Sequence, residues 1–174
     1  FDPETFRFFI LSTHYRSPLD FSDERLKEAE RSLTRLATAQ ENLRTLAQIP
    51  GVGPTEDSLA LQNKVAGFRA EFLEAMRDDF NTALAISHMF ALGREINTYY
   101  QNVVSTNNRP DGKLVNLMSK VFAEMCSIIG VLEKAAAAES ADAGLENSLI
   151  EILIGLRQEA RQSKNYAQAD ALRD

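Results

Sequence analysis

The arginines and lysines at helical spacing are the side chains in this sequence whose pattern points to chemistry. Lys27, Arg31 and Arg35 recur every four residues, and Arg157, Arg161 and Lys164 form a similar set near the other end. On a helix each set makes a column with about one turn between members. Such a column can follow a phosphate backbone, giving sequence-independent, salt-sensitive affinity for nucleic acid. It can equally be a solvated face, because Glu24 and Glu28 lie within a turn of Lys27 and Arg31 and can pair with them. Spacing alone leaves both readings open.

The remaining reactive residue types do not converge. An enzyme site needs a nucleophile with a base, paired acids, or a metal with its ligands. The sequence has no glycine-rich phosphate loop, no GxSxG and no His/Glu pair at metal spacing. His14 and His88 read as satisfied, partly buried histidines, and Cys126 as a core thiol on an apolar helix face. Asp78-Asp79, beside a helix break, reads as helix-start electrostatics. One cysteine excludes an internal disulfide framework and fits a reducing, cytoplasmic setting. With only Cys126, His14 and His88, far apart, a structural zinc site is not expected. Neither catalytic residues nor a cofactor or metal site is expected in these residues.

The elements that must position the basic columns are helical. Asp2-Pro3-Glu4 reads as a helix start, with Phe6, Phe9 and Ile10 at helical spacing and an end before Ser17-Pro18. Ser22 caps a long helix whose apolar seam is Leu26, Ala29, Leu33, Leu36, Leu43 and Ala47, with Gln40 in the remaining slot. Ile49 to Pro54 ends it. A helix from Glu56 to Arg77 carries Val65, Phe68, Phe72, Leu73 and Met76. Asn81 caps the next, with Ala85, Ile86, Met89, Phe90, Gly93, Ile96 and Tyr100 on its apolar side. After a polar turn from Ser105 to Gly112 comes another, from Leu114 to Ile129. Glu133 to Gly144 reads as a linker, and a last helix starts near Asn147 with Leu149, Ile150, Leu153 and Leu156. No window alternates as a strand does. The expectation is an all-α antiparallel bundle of about five helices with a short N-terminal junction helix.

At 174 residues, 44% hydrophobic and 25% charged, the composition is that of a globular domain. A net charge of −6 argues against a strongly basic DNA-binding module without excluding a local basic stripe. No apolar run approaches the ~20 residues that span a bilayer, so no membrane partner is expected. The chain opens Phe1-Asp2-Pro3 rather than with Met, which reads as part of something longer.

Two strings are more specific than any spacing. Phe6 to Ser22 (FRFFILSTHYRSPLDFS) resembles the segment that follows the catalytic domain in bacterial cysteinyl-tRNA synthetases. Asp78-Asp79-Phe80-Asn81-Thr82, continued by Phe90 to Asn97 (FALGREIN), is similar to that family's helical tRNA-binding domain, in the same order. Arg157, Arg161, Lys164, Tyr166, Ala169-Asp170 and Arg173 resemble its closing helix more weakly. Ala83-Leu84, where the family often has Pro-Glu, and Arg77, where it often has Asp, depart from the pattern at surface or cap positions. The resemblance implies a parent that activates cysteine with ATP and transfers it to tRNA(Cys), with ATP and zinc held by a catalytic domain whose HIGH and KMSKS signatures are absent here. It implies a junction over residues 1–21 and a tRNA-binding bundle over 22–174. Lys27, Arg31, Arg35, Arg157, Arg161 and Lys164 become tRNA-contact candidates. Phe6, Phe9, His14, Tyr15 and Arg16 become candidates for packing against the catalytic domain, and Phe6, Phe8 and Phe9 are expected to be exposed without it. The competing expectation is a stand-alone helical module whose N-terminal aromatics bind a protein partner.

Overall fold

The computed structural model describes residues 1–132, which form one compact unit. Five α-helices account for it: α1 (Pro3–Leu11), α2 (Asp23–Gln48), α3 (Glu56–Arg77), α4 (Thr82–Thr106) and α5 (Gly112–Ile129). The helix expected near Asn147, and with it Arg157, Arg161 and Lys164, lies outside the described residues.

Local capping sets the helix starts. The side chains of Asp2, Ser22 and Asn81 accept from the backbone N–H of Glu4, Arg25 and Leu84, as their positions suggest. Thr55 and Ser58 form a reciprocal capping box at the start of α3. Asp111 caps α5 by accepting from the N–H of Lys113 and Leu114. Gly130, at φ 75°, ends α5 in the left-handed conformation, a role suited to a residue without Cβ.

Successive bundle helices alternate in direction. Cross-helix pairs show which ones are neighbours. Asn42 meets Asn97, and Leu46 clusters with Val103, so α2 runs parallel to α4. Lys64–Glu95 and Glu71–His88 pair α3 antiparallel with α4. Ser58–Asp111 and Arg69–Glu124 set α3 parallel to α5. The core between them holds Leu36, Val65, Phe72, Met89, Ile96, Met118 and Phe122. Burying each such side chain stabilises the fold by about 1.5–3 kcal/mol.

Two sequence expectations need correction. The apolar face of α2 is not a heptad seam along its whole length: Ala39 and Leu46 are buried, Gln40 is half-buried and Ala47 is exposed. A seam held every 3.5 residues requires one continuous partner. Here α2 packs against three helices, α1, α4 and α5, so its buried face shifts along the helix. The second correction concerns the N-terminal aromatics. Phe8 and Phe9 are 1% and 6% exposed, because α1 folds back onto the bundle. Phe8 packs edge-on against Phe90 of α4, and Phe9 against Phe21. The Arg7 guanidinium donates to the carbonyl of Gly130, and Glu4 accepts from the N–H of Leu132, tying α1 to the end of α5. Among the N-terminal aromatics, Phe1, Phe6, Tyr15 and Phe21 keep a large exposed surface.

Candidate nucleic-acid interface

Lys27, Arg31 and Arg35 stand on the exposed side of α2. The pairing that would have neutralised them is not made: Glu28 binds Arg25 instead, at 3.1 Å. Among the described residues, Lys27 and Arg31 have neither a hydrogen bond nor an ion pair. Arg35 is held rather than free. Its guanidinium carbon lies 5.1 Å from the centre of the Phe90 ring on α4, and Nη2 donates to Ser32 Oγ at 3.2 Å. The column therefore offers two unpaired cations and one pre-positioned cation on a single face, an arrangement able to meet phosphates.

The second cluster joins segments 64 residues apart. Tyr15 Oη donates to Asp79 Oδ1 at 2.7 Å, and Arg16 Nη2 lies 3.2 and 3.1 Å from the two Asp79 oxygens. Arg16 Nε also donates to Tyr15 Oη, and His14 stacks on the Tyr15 ring at 4.9 Å. The hydrogen bond to Asp79 raises the Tyr15 phenol above its ordinary pKa. Asp79 thus serves the junction segment rather than a helix start, which corrects the reading of Asp78-Asp79 as dipole chemistry. Asp78 is the C-cap of α3. Asp79 and Phe80 both take positive φ, 54° and 50°, and the turn is closed by Asn81 N–H donating to Ala75 O. Two non-glycine residues in that region cost about 1 kcal/mol each or more. The result is an aromatic ring, Phe80, left 69% exposed beside a groove of about 490 Å³ that Ile10, Tyr15, Met76 and Ile128 also line.

The other singled-out residues have structural partners. His88 Nδ1 is 3.1 Å from Glu71 Oε2, and Cys126 is buried. Phe9 is turned inward, whereas Phe6, Tyr15 and Arg16 keep exposed surface. Among the described residues no group of His, Cys, Asp or Glu is arranged to hold a metal ion, and no helix is long and apolar enough to cross a membrane.

Sequence reasoning missed Asp111. Its carboxylate is 2% exposed and accepts from Ser58 Oγ at 2.7 Å, from Gln62 Nε2 at 3.1 Å, and from two backbone N–H groups. Burial pushes its pKa up, but these donors outweigh burial and hold it below the ordinary value. The signal was present as Asp-Gly before an apolar run, a capping pattern inside what reads as a polar turn.

A protein-family model, the DALR domain, matches residues 71–133. That stretch is similar to a DALR domain. The match runs from the last part of α3 through the Asp79–Phe80 turn and α4 to the end of α5. Similarity to characterised proteins extends further, over α1 and α2 as well. The chain is 37% identical to the cysteine–tRNA ligase of Heliobacterium modesticaldum, covering all of this chain and 37% of that protein. It is 40% identical to the cysteine–tRNA ligases of Geobacter sp. strain M21 and Shouchella clausii, again over all of this chain and 37% and 35% of theirs. The resemblance first read in two strings therefore holds from end to end. The chain spans little more than a third of the length of these relatives.

Proposed function

We propose that this chain is the tRNA-holding helical part of a cysteine–tRNA ligase, a cytoplasmic enzyme that activates cysteine with ATP and transfers it to tRNA(Cys). The observation that carries the reading is the end-to-end similarity to cysteine–tRNA ligases. The unpaired cations on α2 supply the chemistry: Lys27 and Arg31, with Arg35 anchored beside them, meet RNA phosphates. Arg157, Arg161 and Lys164 join them on sequence grounds alone. A net charge of −6 is compatible with this, since binding needs only a local positive face and the acidic remainder repels misdocked RNA. Catalysis, ATP and zinc belong to the rest of the parent enzyme. The surface of Phe6, Tyr15, Arg16 and Phe80 is the face offered to that remainder, because it combines exposed aromatics with a charge cluster already fixed in place.

Binding of the 174-residue chain to cysteine-accepting tRNA, against an unrelated tRNA and across a salt series, tests the reading. Salt-dependent binding is expected. Lys27→Ala with Arg31→Ala should lower the slope of log affinity against log salt by about 1.8, or 0.9 per lost phosphate contact. No binding at 50 mM salt would refute the RNA role of this piece.

A further inference from the structure

Between the parallel helices α2 and α4 lies a groove of about 460 Å³ with a cation from each side. Arg35 enters from α2 and Arg94 from α4, with Thr38, Ser87, Phe90 and Asn97 also lining it. Among the described residues no carboxylate lines this groove. Two acids flanking the groove on these helices are engaged elsewhere: Glu95 binds Lys64 of α3 at 2.7 Å, and Glu41 binds Arg44 at 3.3 Å. Arg94 is exposed and has no hydrogen bond or ion pair among the described residues. Asn42 Nδ2 donates to Asn97 Oδ1 at 2.8 Å, which leaves the Asn97 amide N–H groups as donors to the groove. Arg35 is already positioned by the Phe90 ring and Ser32 Oγ, so little rotamer freedom remains to be lost on binding.

We propose that the α2–α4 groove is a phosphodiester site, in which Arg35 and Arg94 grip one stretch of RNA backbone from opposite walls. Planar guanidiniums present paired N–H donors that match phosphate oxygens, and two of them facing each other with no acid between form a local positive trough in an acidic protein. The RNA path then leaves α2 at Arg35 and crosses to Arg94, so the contact set spans two helices instead of following one. This rests on the tRNA-binding reading above and adds Arg94, which neither helical column contains.

The test uses the full chain and tRNA, with Arg94→Gln alone, Arg35→Gln with Arg94→Gln, and the Lys27→Ala/Arg31→Ala pair as comparison. The cation stacked on the Phe90 ring is Arg35, so Arg94→Gln leaves that stacking pair in place. Removing one contact lowers the salt slope by about 0.9, making the loss of affinity at 50 mM about 3.5 times that at 200 mM; for two contacts the ratio is about twelve. Inorganic phosphate should compete with tRNA no better than chloride at equal ionic strength. Wild-type affinity and slope in Arg94→Gln, with the Lys27/Arg31 pair impaired, would overturn the groove and leave the tRNA reading standing. Absence of binding by the unaltered chain would overturn both. Competition by phosphate beyond its ionic strength, or by polyglutamate as strong as by RNA, would replace the phosphodiester with a free anion or an acidic peptide.

Discussion

Removing the Asp111 carboxylate should cost this fold about 3–4 kcal/mol. Asp111→Ala deletes an N-cap, worth about 1 kcal/mol. It also deletes two hydrogen bonds to a charged acceptor, each worth about 1.5 kcal/mol or more. Those bonds come from Ser58 and Gln62 on α3, so the side chain joins the start of α5 to the start of α3. For a unit of this size the loss corresponds to a fall in melting temperature of roughly 10 °C. Asp111→Asn should cost less, about 1–2 kcal/mol. Its remaining oxygen can still cap α5, and the Ser58 hydroxyl, which also reaches Thr55 O, can turn to accept from the new amide. The pH dependence has a defined sign. The folded pKa lies below the ordinary 3.8, so the stabilisation is complete above that value and is lost as pH falls through the lower, folded value. The stability gap between wild type and Asp111→Asn should therefore stay flat from about pH 8 to pH 5 and close only below about pH 4. Urea denaturation monitored by circular dichroism across that range measures it. An Asp111→Ala protein within about 1 kcal/mol of wild type would show that the cross-link contributes nothing net.

Two further substitutions probe the backbone around the candidate surfaces. Phe80 sits at φ 50° with its ring 69% exposed, so glycine should relieve strain while alanine should not. Phe80→Gly is expected to be about 1 kcal/mol more stable than Phe80→Ala in thermal melts, and equal stabilities would refute strain at the turn. A Cβ on Gly51 would lie 3.0 Å from Gly112 Cα and 3.1 Å from Gly112 N, backbone atoms that cannot swing away, where Val52 pairs with the α4–α5 turn. Gly51→Ala should cost about 1–3 kcal/mol by chemical denaturation, whereas Gly53→Ala, with nothing within 4 Å, should be near neutral.

Much of the candidate RNA surface was legible before the structure, and particular residues show why. Lys27, Arg31 and Arg35 could be placed on one exposed face because helical periodicity is a property of the local chain. Their freedom could not be read, because Glu28 had several cations within reach and the choice of Arg25 is a rotamer outcome. Arg94 carried no signal of its own. It becomes part of a groove only because α2 packs alongside α4 with their directions matched.

By itself the sequence determined where the helices start and stop. Asp2-Pro3, Ser22, Asn81 and the Pro/Gly loop after Gln48 act on backbone groups a few residues away, and such short-range bonds form regardless of what lies across the core. It also determined much of the inward stripe on α3 and α4, Val65, Phe72, Ala85, Ile86, Met89 and Ile96 among it, whereas Leu92 and Val103 enter the interior without having been read there. Tertiary structure alone decided the shift of the α2 face, the burial of Phe8 and Phe9 beneath α1, the union of Tyr15 and Arg16 with Asp79, and the tie from Asp111 to α3. Each depends on partners dozens of residues distant. The free energy that selects among them comes from packing and hydrogen bonding in the assembled bundle, which no local pattern encodes.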